Sequence, residues 1–321
     1  MKPIAIGIDI GGTNTKYGVA DREGTILASG SLPTREYEQV EDFVAAVHAA
    51  LSTLIQNQIG EPVEIKGIGI GAPNANYYRG TIEYAPNLLW QDVIPLADLF
   101  RKHYDAPVVV TNDANAAAIG EMIYGGAKGM RDFVVITLGT GVGSGFVASG
   151  QLIYGHDGFA GEFGHVTAVP GGRLCTCGRK GCVEAYASAR GVCLTVQELL
   201  AGHNESSLLD EVSSLEMTPR HVFEAAERGD AVAREAFEYT GKVLGEALSN
   251  LVAYTSPEAI FVFGGVARAG KWILEPTMRH MEENLLVIYK NKVKIIPSRL
   301  PESDAAILGA SSLVWQEIAR L

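Results

Sequence analysis

The sequence predicts an α/β protein built from two related halves that flank a cleft. An apolar strand, a glycine turn, a second strand, a tight turn and a third strand occur in this order at residues 4–29 and again at residues 133–154. After each set, apolar runs alternate with segments of helical spacing, as parallel β-α-β units require. Because both halves carry a glycine turn at the same place, the two turns are expected to converge on one ligand.

The first half begins with a meander of three strands joined by Gly11-Gly12-Thr13 and by a second turn at residues 21–24. Continuous apolar runs later in this half are typical of strands buried on both faces. The predicted strands are residues 4–9, 16–20, 25–29, 65–70 and 108–110. The predicted helices are residues 37–57 and about 95–103.

The second half repeats this arrangement and then adds helices. Its predicted strands are residues 133–137, 144–148, 151–154, 259–263 and 293–296. Its predicted helices are residues 116–124, 219–228, 231–254, 272–284 and 304–319. No low-complexity tract separates the halves, and we expect one domain over 1–112 plus about 305–321 and a second over 113–304.

Composition narrows the functional class. At 321 residues and 47% hydrophobic content the chain fits a globular enzyme, and its net charge of −11 opposes binding to nucleic acid or anionic membranes. No apolar run is long enough for a membrane helix. Because Met1-Lys2-Pro3 leads straight into a strand, we expect no secretory signal and a cytoplasmic protein.

A cluster of soft metal ligands lies between residues 165 and 182. His165, Cys175, Cys177 and Cys182 match a tetrahedral Cys₃His set, which predicts structural zinc. The alternative is a disulfide or buried thiols. Disulfides are rare in a reducing compartment, and Cys175 and Cys177 are too close in sequence to bridge easily. Cys193 is left as a small core residue.

The two glycine turns predict phosphate binding. Glycine lets backbone N–H groups approach an anion closely, Thr13 and Thr15 carry hydroxyls that donate to phosphate, and Asp9 is placed to hold magnesium through water. A glycine hairpin after an acidic residue is common by itself. The matching turn at residues 138–143 favours nucleotide binding over that interpretation.

Two other glycine patterns are not taken as nucleotide sites. Residues 265–271 resemble a Walker loop, but Trp272 occupies the position that requires serine or threonine. Residues 67–71 resemble a dinucleotide motif, but their glycines lie within an apolar strand and do not open a helix.

Polar residues follow the strand at 108–110 and open a helix. Asn112, Asp113 or Asn115 alone is explained as a helix N-cap, but capping does not account for all three. At the carboxyl end of a parallel strand, a carboxylate is well placed to accept a proton from a hydroxyl group.

These motifs together resemble the ROK family of sugar kinases and sugar-responsive repressors, which has the actin-like ATPase (ribonuclease H-like) fold. The resemblance covers nearly the whole chain, from Ile4 to the helix at 305–310. The motifs occur in order as Asp9-x-Gly-Gly-Thr-x-x-Lys16, Asn112-Asp113-x-Asn115-x-Ala-x-x-Gly120-Glu121, Leu138-Gly-Thr-Gly-Val-Gly143, Gly161-Glu-x-Gly-His165 and Cys175-x-Cys-Gly-x-x-Gly-Cys182-x-Glu184.

The resemblance implies a role for each matching residue. Asp113 is implied as the general base, and the implied sugar ligands are Asn87, Asn112, Asp113, Glu162, His165 and Glu184. The implied ATP and Mg²⁺ residues are Asp9, Gly11, Gly12, Thr13, Lys16, Gly139, Thr140, Gly141, Gly264 and Gly265. The implied ligands of structural Zn²⁺ are His165, Cys175, Cys177 and Cys182.

The expected activity is ATP-dependent phosphorylation of a hexose at its 6-hydroxyl, with glucose as the first candidate. N-acetylglucosamine and N-acetylmannosamine are alternative substrates, and a homodimer or higher homo-oligomer is implied by the resemblance. Many family members have Pro-Gly where this chain has Pro73-Asn74, so the loop at residues 72–80 is either a cover for the sugar or a plain surface loop.

The alternative from a different class is a sugar-responsive repressor, which carries a helix-turn-helix domain before the kinase-like body. Since the first phosphate turn begins at Asp9, we expect no room for such a domain. The acidic charge also argues against DNA binding. A sugar-binding scaffold without turnover is the remaining alternative, which the full set of motifs disfavours.

Overall fold

The computed structural model describes residues 1–202, 206–300 and 302–319, with only the backbone at 302 and 303. Its strands are β1 (Lys2–Ile10), β2 (Asn14–Ala20), β3 (Ile26–Pro33), β4 (Val63–Gly71), β5 (Ala75–Asn76), β6 (Thr81–Glu83), β7 (Val93–Ile94), β8 (Val108–Thr111), β9 (Phe133–Leu138), β10 (Val142–Ala148), β11 (Gln151–Leu152), β12 (Ala259–Phe263) and β13 (Lys294–Pro297). Its helices are α1 (Val40–Gln58), α2 (Leu96–Arg101), α3 (Asp113–Ile123), α4 (Glu184–Ala187), α5 (Ala189–Gly202), α6 (Pro219–Glu227), α7 (Ala231–Thr255), α8 (Lys271–Asn284) and α9 (Glu302–Ile318).

Two five-stranded sheets carry the two lobes, and their strand orders are equivalent. The first sheet has the order β3-β2-β1-β4-β8, and the second has β11-β10-β9-β12-β13. In both, the first three strands are antiparallel neighbours and the last two are parallel additions. The repeat predicted from the sequence is therefore confirmed, and the fold is the predicted α/β architecture.

Each lobe has its own apolar core. In the first lobe, the isoleucines of β1 and β4 pack against the face of α1 that carries Phe43, Val47 and Leu51, all fully buried. In the second lobe, Phe237 and Leu248 of α7 pack against β9 and β12. The predicted apolar face of α1 is the buried one, because its residues recur at helical spacing.

Helix α9 lies across the first sheet at very short range. A Cβ at Gly69 would lie 1.8 Å from the carbonyl oxygen of Ala310, and one at Gly7 would lie 2.2 Å from that of Ile307. Any larger residue would collide with the helix backbone. The alternating glycines of β4 therefore serve helix packing, which explains why they do not form a dinucleotide site.

A small sheet of β5, β6 and β7 reaches from the first lobe to the second. The buried Asn76 side chain donates through Nδ2 to the carbonyl of Asp157 at 2.7 Å. The ring of Tyr77 stacks on that of Tyr154, with centroids 3.9 Å apart, and its hydroxyl bonds Glu317 of α9 at 2.7 Å. The loop at residues 72–80 thus ties the lobes together.

Within the described ranges, every helix is too short or too polar to cross a lipid bilayer.

Candidate active site

A cleft of about 660 Å³ lies between the lobes, and most of the predicted site residues line it. The lining includes Asp9, Gly11, Gly12, Thr13, Asn87, Asn112, Asp113, Gly139, Thr140, Gly141, Glu162, His165, Cys175, Cys177, Glu184 and Gly264. Lys16, Cys182 and Gly265 are not among the described lining residues. The topology therefore brings the glycine turns of both lobes and the candidate base to one opening.

Asn112 and Asp113 lie where β8 ends and α3 begins. Asn112 is the helix N-cap, and the N–H of Ala114 donates to Asn112 Oδ1 and Asp113 Oδ1, each at 2.8 Å. The cap uses the oxygen of the Asn112 amide and leaves its Nδ2 hydrogens for a ligand. The capping and binding interpretations are therefore compatible. Helix α3 begins at Asp113, three residues before the start predicted from the sequence.

The carboxyl group of Asp113 faces the cleft, but protein atoms crowd the cleft floor around it. Desolvation raises the pKa of Asp113, against the backbone hydrogen bond from Ala114, which lowers it. Desolvation, with the charge of Asp113 as the second cause, also raises the pKa of Asp9 to about 7. The charged carboxylates of Asp9 and Asp113 repel each other, and a cation between them would relieve the repulsion.

Asp9 combines a poorly solvated carboxylate with a place beside the first glycine turn, which fits a divalent cation with oxygen ligands. Lys16 is opposite Asp9 in the β1–β2 ladder, and its charge lowers the Asp9 pKa only as the smallest of three causes. Lys16 itself is exposed.

The first glycine turn, residues 11–13, packs against the segment that carries the predicted sugar ligand Asn87. A Cβ at Gly12 would lie 2.8 Å from the carbonyl oxygen of Asn87. Thr13 is exposed at the cleft, but Thr15 is fully buried and its hydroxyl bonds that of Thr34 at 2.9 Å. The expectation that Thr15 donates to phosphate is therefore wrong, because the strand alternation points this side chain into the core.

The second glycine turn, residues 139–143, is held from two sides. The N–H of Ala189, at the start of α5, donates to the carbonyl of Gly139 at 2.8 Å. The N–H of Val142 donates to Glu184 Oε2 at 3.0 Å. Gly264 lies beside the turn, where a Cβ would be 2.6 Å from the carbonyl oxygen of Leu138.

Glu184 connects this turn to the cysteine segment. Its Oε1 accepts from Thr176 Oγ1 at 3.1 Å and from Cys175 Sγ at 3.5 Å. Glu162 stands nearby: desolvation raises its pKa, with His165 lowering it and the charges of Asp113 and Glu184 raising it further. The predicted sugar ligands thus surround Asp113 with acceptors that suit hydroxyl groups.

The metal loop, residues 165–182, brings all its predicted ligand atoms within 4.8 Å of one another. Cys177 Sγ and Cys182 Sγ are 3.7 Å apart, as are His165 Nδ1 and Cys175 Sγ. A tetrahedral ion with metal–sulfur bonds of about 2.3 Å holds its sulfur atoms about 3.8 Å apart. At 3.7 Å the Cys177 and Cys182 sulfur atoms are too far apart for a disulfide bond of about 2.05 Å, so the donor set fits zinc.

Burial raises the pKa of the Cys182 thiol to about 12, and this proton has to leave when a metal binds. Since His165 turns Nδ1 towards the cysteines and lines the cleft, its Nε2 is the nitrogen left for a ligand there.

Sequence reasoning missed the two arginines that line the cleft, Arg35 and Arg190. Arg35 donates through Nε to the carbonyl of Gly12 at 3.0 Å. It also missed Arg173, whose largely buried guanidinium joins the metal loop to α4 and α5. None of the three belongs to a spaced motif, so the sequence offered no signal for them.

Comparison with known proteins places this chain in a family. A glucokinase from Halalkalibacterium halodurans is 36% identical over 315 residues, covering 97% of this chain and 95% of the relative. A ROK family glucokinase from Streptomyces griseus, solved in complex with glucose and AMPPNP, is 35% identical, with a TM-score of 0.81 and coverage of 98% and 99%.

A xylose repressor from Caldicellulosiruptor bescii is 29% identical over 314 residues, covering 98% of this chain and 78% of the repressor. The family model described as "ROK family" matches residues 5–317. The chain belongs to the ROK family.

Proposed function

We propose that this chain is an ATP-dependent sugar kinase that phosphorylates a hexose at its 6-hydroxyl, with glucose as the preferred substrate. The observation that carries the proposal is that both glycine turns and Asp113 line one cleft. The glucokinases at 35–36% identity over almost the whole chain support the substrate.

Asp113 is the proposed general base. Its Oδ1 is held by the N–H of Ala114, which leaves Oδ2 to accept the proton of the attacking hydroxyl group. The raised pKa makes this carboxylate a stronger base than an ordinary aspartate. The proposed sugar ligands Asn87, Asn112, Glu162, His165 and Glu184 orient the hexose around it.

The phosphates of ATP are proposed to lie between the two glycine turns, with Gly264 beside them. Lys16 and Gly265, which are not among the described lining residues, stay predicted nucleotide residues. Asp9 would hold Mg²⁺, which when bound neutralises charge on the transferred phosphoryl group. The backbone N–H groups of the turns and the closed cleft then position the phosphoryl group and exclude water.

The metal loop is proposed to bind one structural Zn²⁺ through His165, Cys175, Cys177 and Cys182. Its thiols require a reducing environment, which supports a cytoplasmic location. We also propose domain boundaries at 1–112 plus about 305–321 and at 113–304, since each range supplies one of the two sheets. A homodimer or larger homo-oligomer remains a prediction, which light scattering tests.

N-acetylglucosamine or N-acetylmannosamine is the second candidate substrate. A cavity of about 20 Å³ adjoins the sugar end of the cleft, sharing Asn74, Asn112 and Glu162 with it. Asn115 also lines it, and its buried Oδ1 has no hydrogen-bond partner among the described residues. The cavity holds about one water molecule, so this acceptor suits a ligand N–H reached directly or through one water.

The test is ADP release measured with a panel of hexoses and N-acetylhexosamines. Asp113→Asn should lower kcat by about 10³-fold while sugar affinity stays within about threefold, because only the proton acceptor is lost. Asp98→Asn, the same change at an exposed position of α2, is the matched control. Normal turnover in Asp113→Asn, or no ADP release with any sugar, would contradict the proposal.

A further inference from the structure

The metal loop is attached to the second glycine turn through a short connecting segment, residues 184–191. This segment holds α4 and the first residues of α5. On one side it contacts the metal loop, and on the other it contacts the turn. Each set of contacts consists of hydrogen bonds to defined atoms, so the three parts form one unit.

The contacts from the metal loop depend mainly on Arg173. Its Nη1 donates to the carbonyls of Ala185 and Gly191, each at 3.2 Å, and its guanidinium lies 4.5 Å from the ring centroid of Tyr186. The Tyr186 hydroxyl accepts from the N–H of Arg173 at 2.9 Å. Only 11% of the Arg173 side chain is exposed, and Glu198 pairs with it at 2.5 Å. A guanidinium group with this many partners is held in one orientation and joins the metal loop rigidly to the connecting segment.

The contacts to the turn come from the two ends of the segment. Glu184 accepts from Val142 N–H at 3.0 Å, and Ala189 N–H donates to Gly139 at 2.8 Å. The fit is tight, since a Cβ at Gly141 would lie 2.5 Å from Glu184 Oε2. The position of the turn therefore depends on where the connecting segment lies.

We infer that the metal loop positions the second glycine turn through the connecting segment, so that releasing the loop weakens nucleotide binding as well as sugar binding. Arg173 is then a positioning residue, and Thr176, which fixes Glu184 Oε1 at 3.1 Å, is a second one. The inference rests on the proposed function, because that proposal places the nucleotide at the turn.

The experiment measures the Kd of a nonhydrolysable ATP analogue without sugar, by calorimetry on full-length protein. Arg173→Ala should raise this Kd about tenfold, and Thr176→Val about fivefold, while the metal content remains at the wild-type value. Chelating the metal from the wild-type protein should raise the Kd at least as much, and zinc should restore it. Circular dichroism and Tm establish that each variant is folded at the assay temperature.

Two control variants separate positioning from charge. Arg179→Ala removes the same charge from the same loop, where Arg179 is exposed and makes one long hydrogen bond to Thr167 at 3.4 Å. Glu198→Gln removes only the exposed partner of Arg173. Both should keep the Kd within about twofold of wild type.

An unchanged nucleotide Kd in folded Arg173→Ala would overturn the inference. If Arg173→Ala does not fold, Thr176→Val decides, because it removes one exposed hydroxyl group, and an unchanged Kd there overturns it too. A wild-type protein that binds no nucleotide or phosphorylates no hexose would instead contradict the proposed function. A wild-type enzyme that turns over, with variants that bind nucleotide normally, would contradict only the inference.

Discussion

The two lobes share one strand order but use it differently at the glycine turn. Asp9 occupies the second position before Gly11 in the first lobe, whereas Thr137 occupies the corresponding position before Gly139 in the second. Asp9 has a pKa raised to about 7, while the Thr137 hydroxyl accepts from Gly143 N–H at 3.1 Å. At this position the first lobe has a poorly solvated carboxyl group, and the second lobe closes its turn with a neutral hydroxyl group.

The lobes also differ in the connection that leaves the third strand. In the first lobe, β3 leads to α1 over residues 34–39, but in the second lobe, residues 153–183 separate β11 from α4 and contain the metal loop. The five-stranded sheet that both lobes share supports the glycine turns, and residues 153–183 carry the proposed sugar ligands Glu162 and His165. The two lobes therefore differ in the segments that connect strands to helices more than in the order of their strands.

The largest expected loss of stability comes from the glycines at which each sheet packs against a helix, α9 in the first lobe and α3 in the second. Gly69→Ala should destabilise the protein by about 3 kcal/mol or more, since its Cβ would lie 1.8 Å from a backbone oxygen of α9. Gly145→Ala in the second sheet should cost less, about 1–2 kcal/mol, because the approaches to the Ala118 Cβ at 2.7 Å and the Ala114 carbonyl oxygen at 2.8 Å are longer. Gly60→Ala, with no atom within 4 Å, is the control. Urea unfolding measures all three, and equal values would refute the distinction.

Removing a metal ligand should affect the second lobe next most strongly. Cys177→Ser should reduce bound zinc from about one per chain to none and destabilise the protein by about 2 kcal/mol, because the binding energy of the metal is lost. Loss of packing should contribute little, since Cys177 is exposed. Cys193→Ser is the matched change at a buried thiol away from the cluster. Metal analysis and Tm are the measurements. Full metal content in Cys177→Ser would count against the site.

Two helix N-caps allow a proposed sugar ligand, Asn112 of α3, to be compared with a purely structural residue, Asp230 of α7. Asp230 caps α7, accepting from the N–H groups of Ala233 and Leu208; burial raises its pKa, but these hydrogen bonds give a net lowering. Asp230→Ala should cost about 1–2 kcal/mol with an unchanged sugar KM. Asn112→Ala should cost about 1 kcal/mol and also raise the sugar KM several-fold. A sugar KM that is the same in both variants would place Asn112 outside the site.

The direction of the Asp230 shift also fixes its pH dependence. A carboxyl group whose folded pKa is lowered contributes stability above its unfolded value of about 3.8, and this contribution is lost as the pH falls. The Asp230→Ala difference should therefore shrink in acid.

Asp9 should show the opposite dependence of stability on pH. Its folded pKa of about 7 exceeds the unfolded value of 3.8, so its ionisation opposes folding as the pH rises from about 4 to 7. Metal-free Asp9→Asn should therefore be more stable than wild type at pH 8 by about 4 kcal/mol, and not at pH 4. Thr137→Val, at the corresponding position, should show no such pH dependence. A constant Asp9→Asn difference across this range would refute the shift.

Most long periodic elements were predictable from the sequence, and most of the very short ones were not. The apolar spacing of α1 and α7 and the continuous apolar runs of β4 and β12 fixed their positions within a few residues. Helix α5 escaped prediction, since no apolar periodicity was recognised between the metal loop and residue 219. Strands β5 and β7 hold two residues each, too few for an alternation pattern.

Most of the candidate site was predictable because its residues follow strand ends or cluster in motifs. The motif spacing could not reveal that Thr15 points into the core or that Glu184 bonds the N–H of Val142 across 42 residues. From the sequence alone, the metal loop serves the sugar end of the cleft. Its attachment to the second glycine turn, the proposed nucleotide end of the cleft, arises from packing between segments that are distant in the sequence.

The tie between the lobes limits how the cleft can open. Asn76 donates to Asp157 and Tyr77 stacks on Tyr154, so the lobes are fastened at the edge marked by the small sheet. These contacts hold the lobes together at that edge, so opening of the cleft is expected to be larger at the edge away from the small sheet. A hexose and a nucleotide would then enter the cleft from that side.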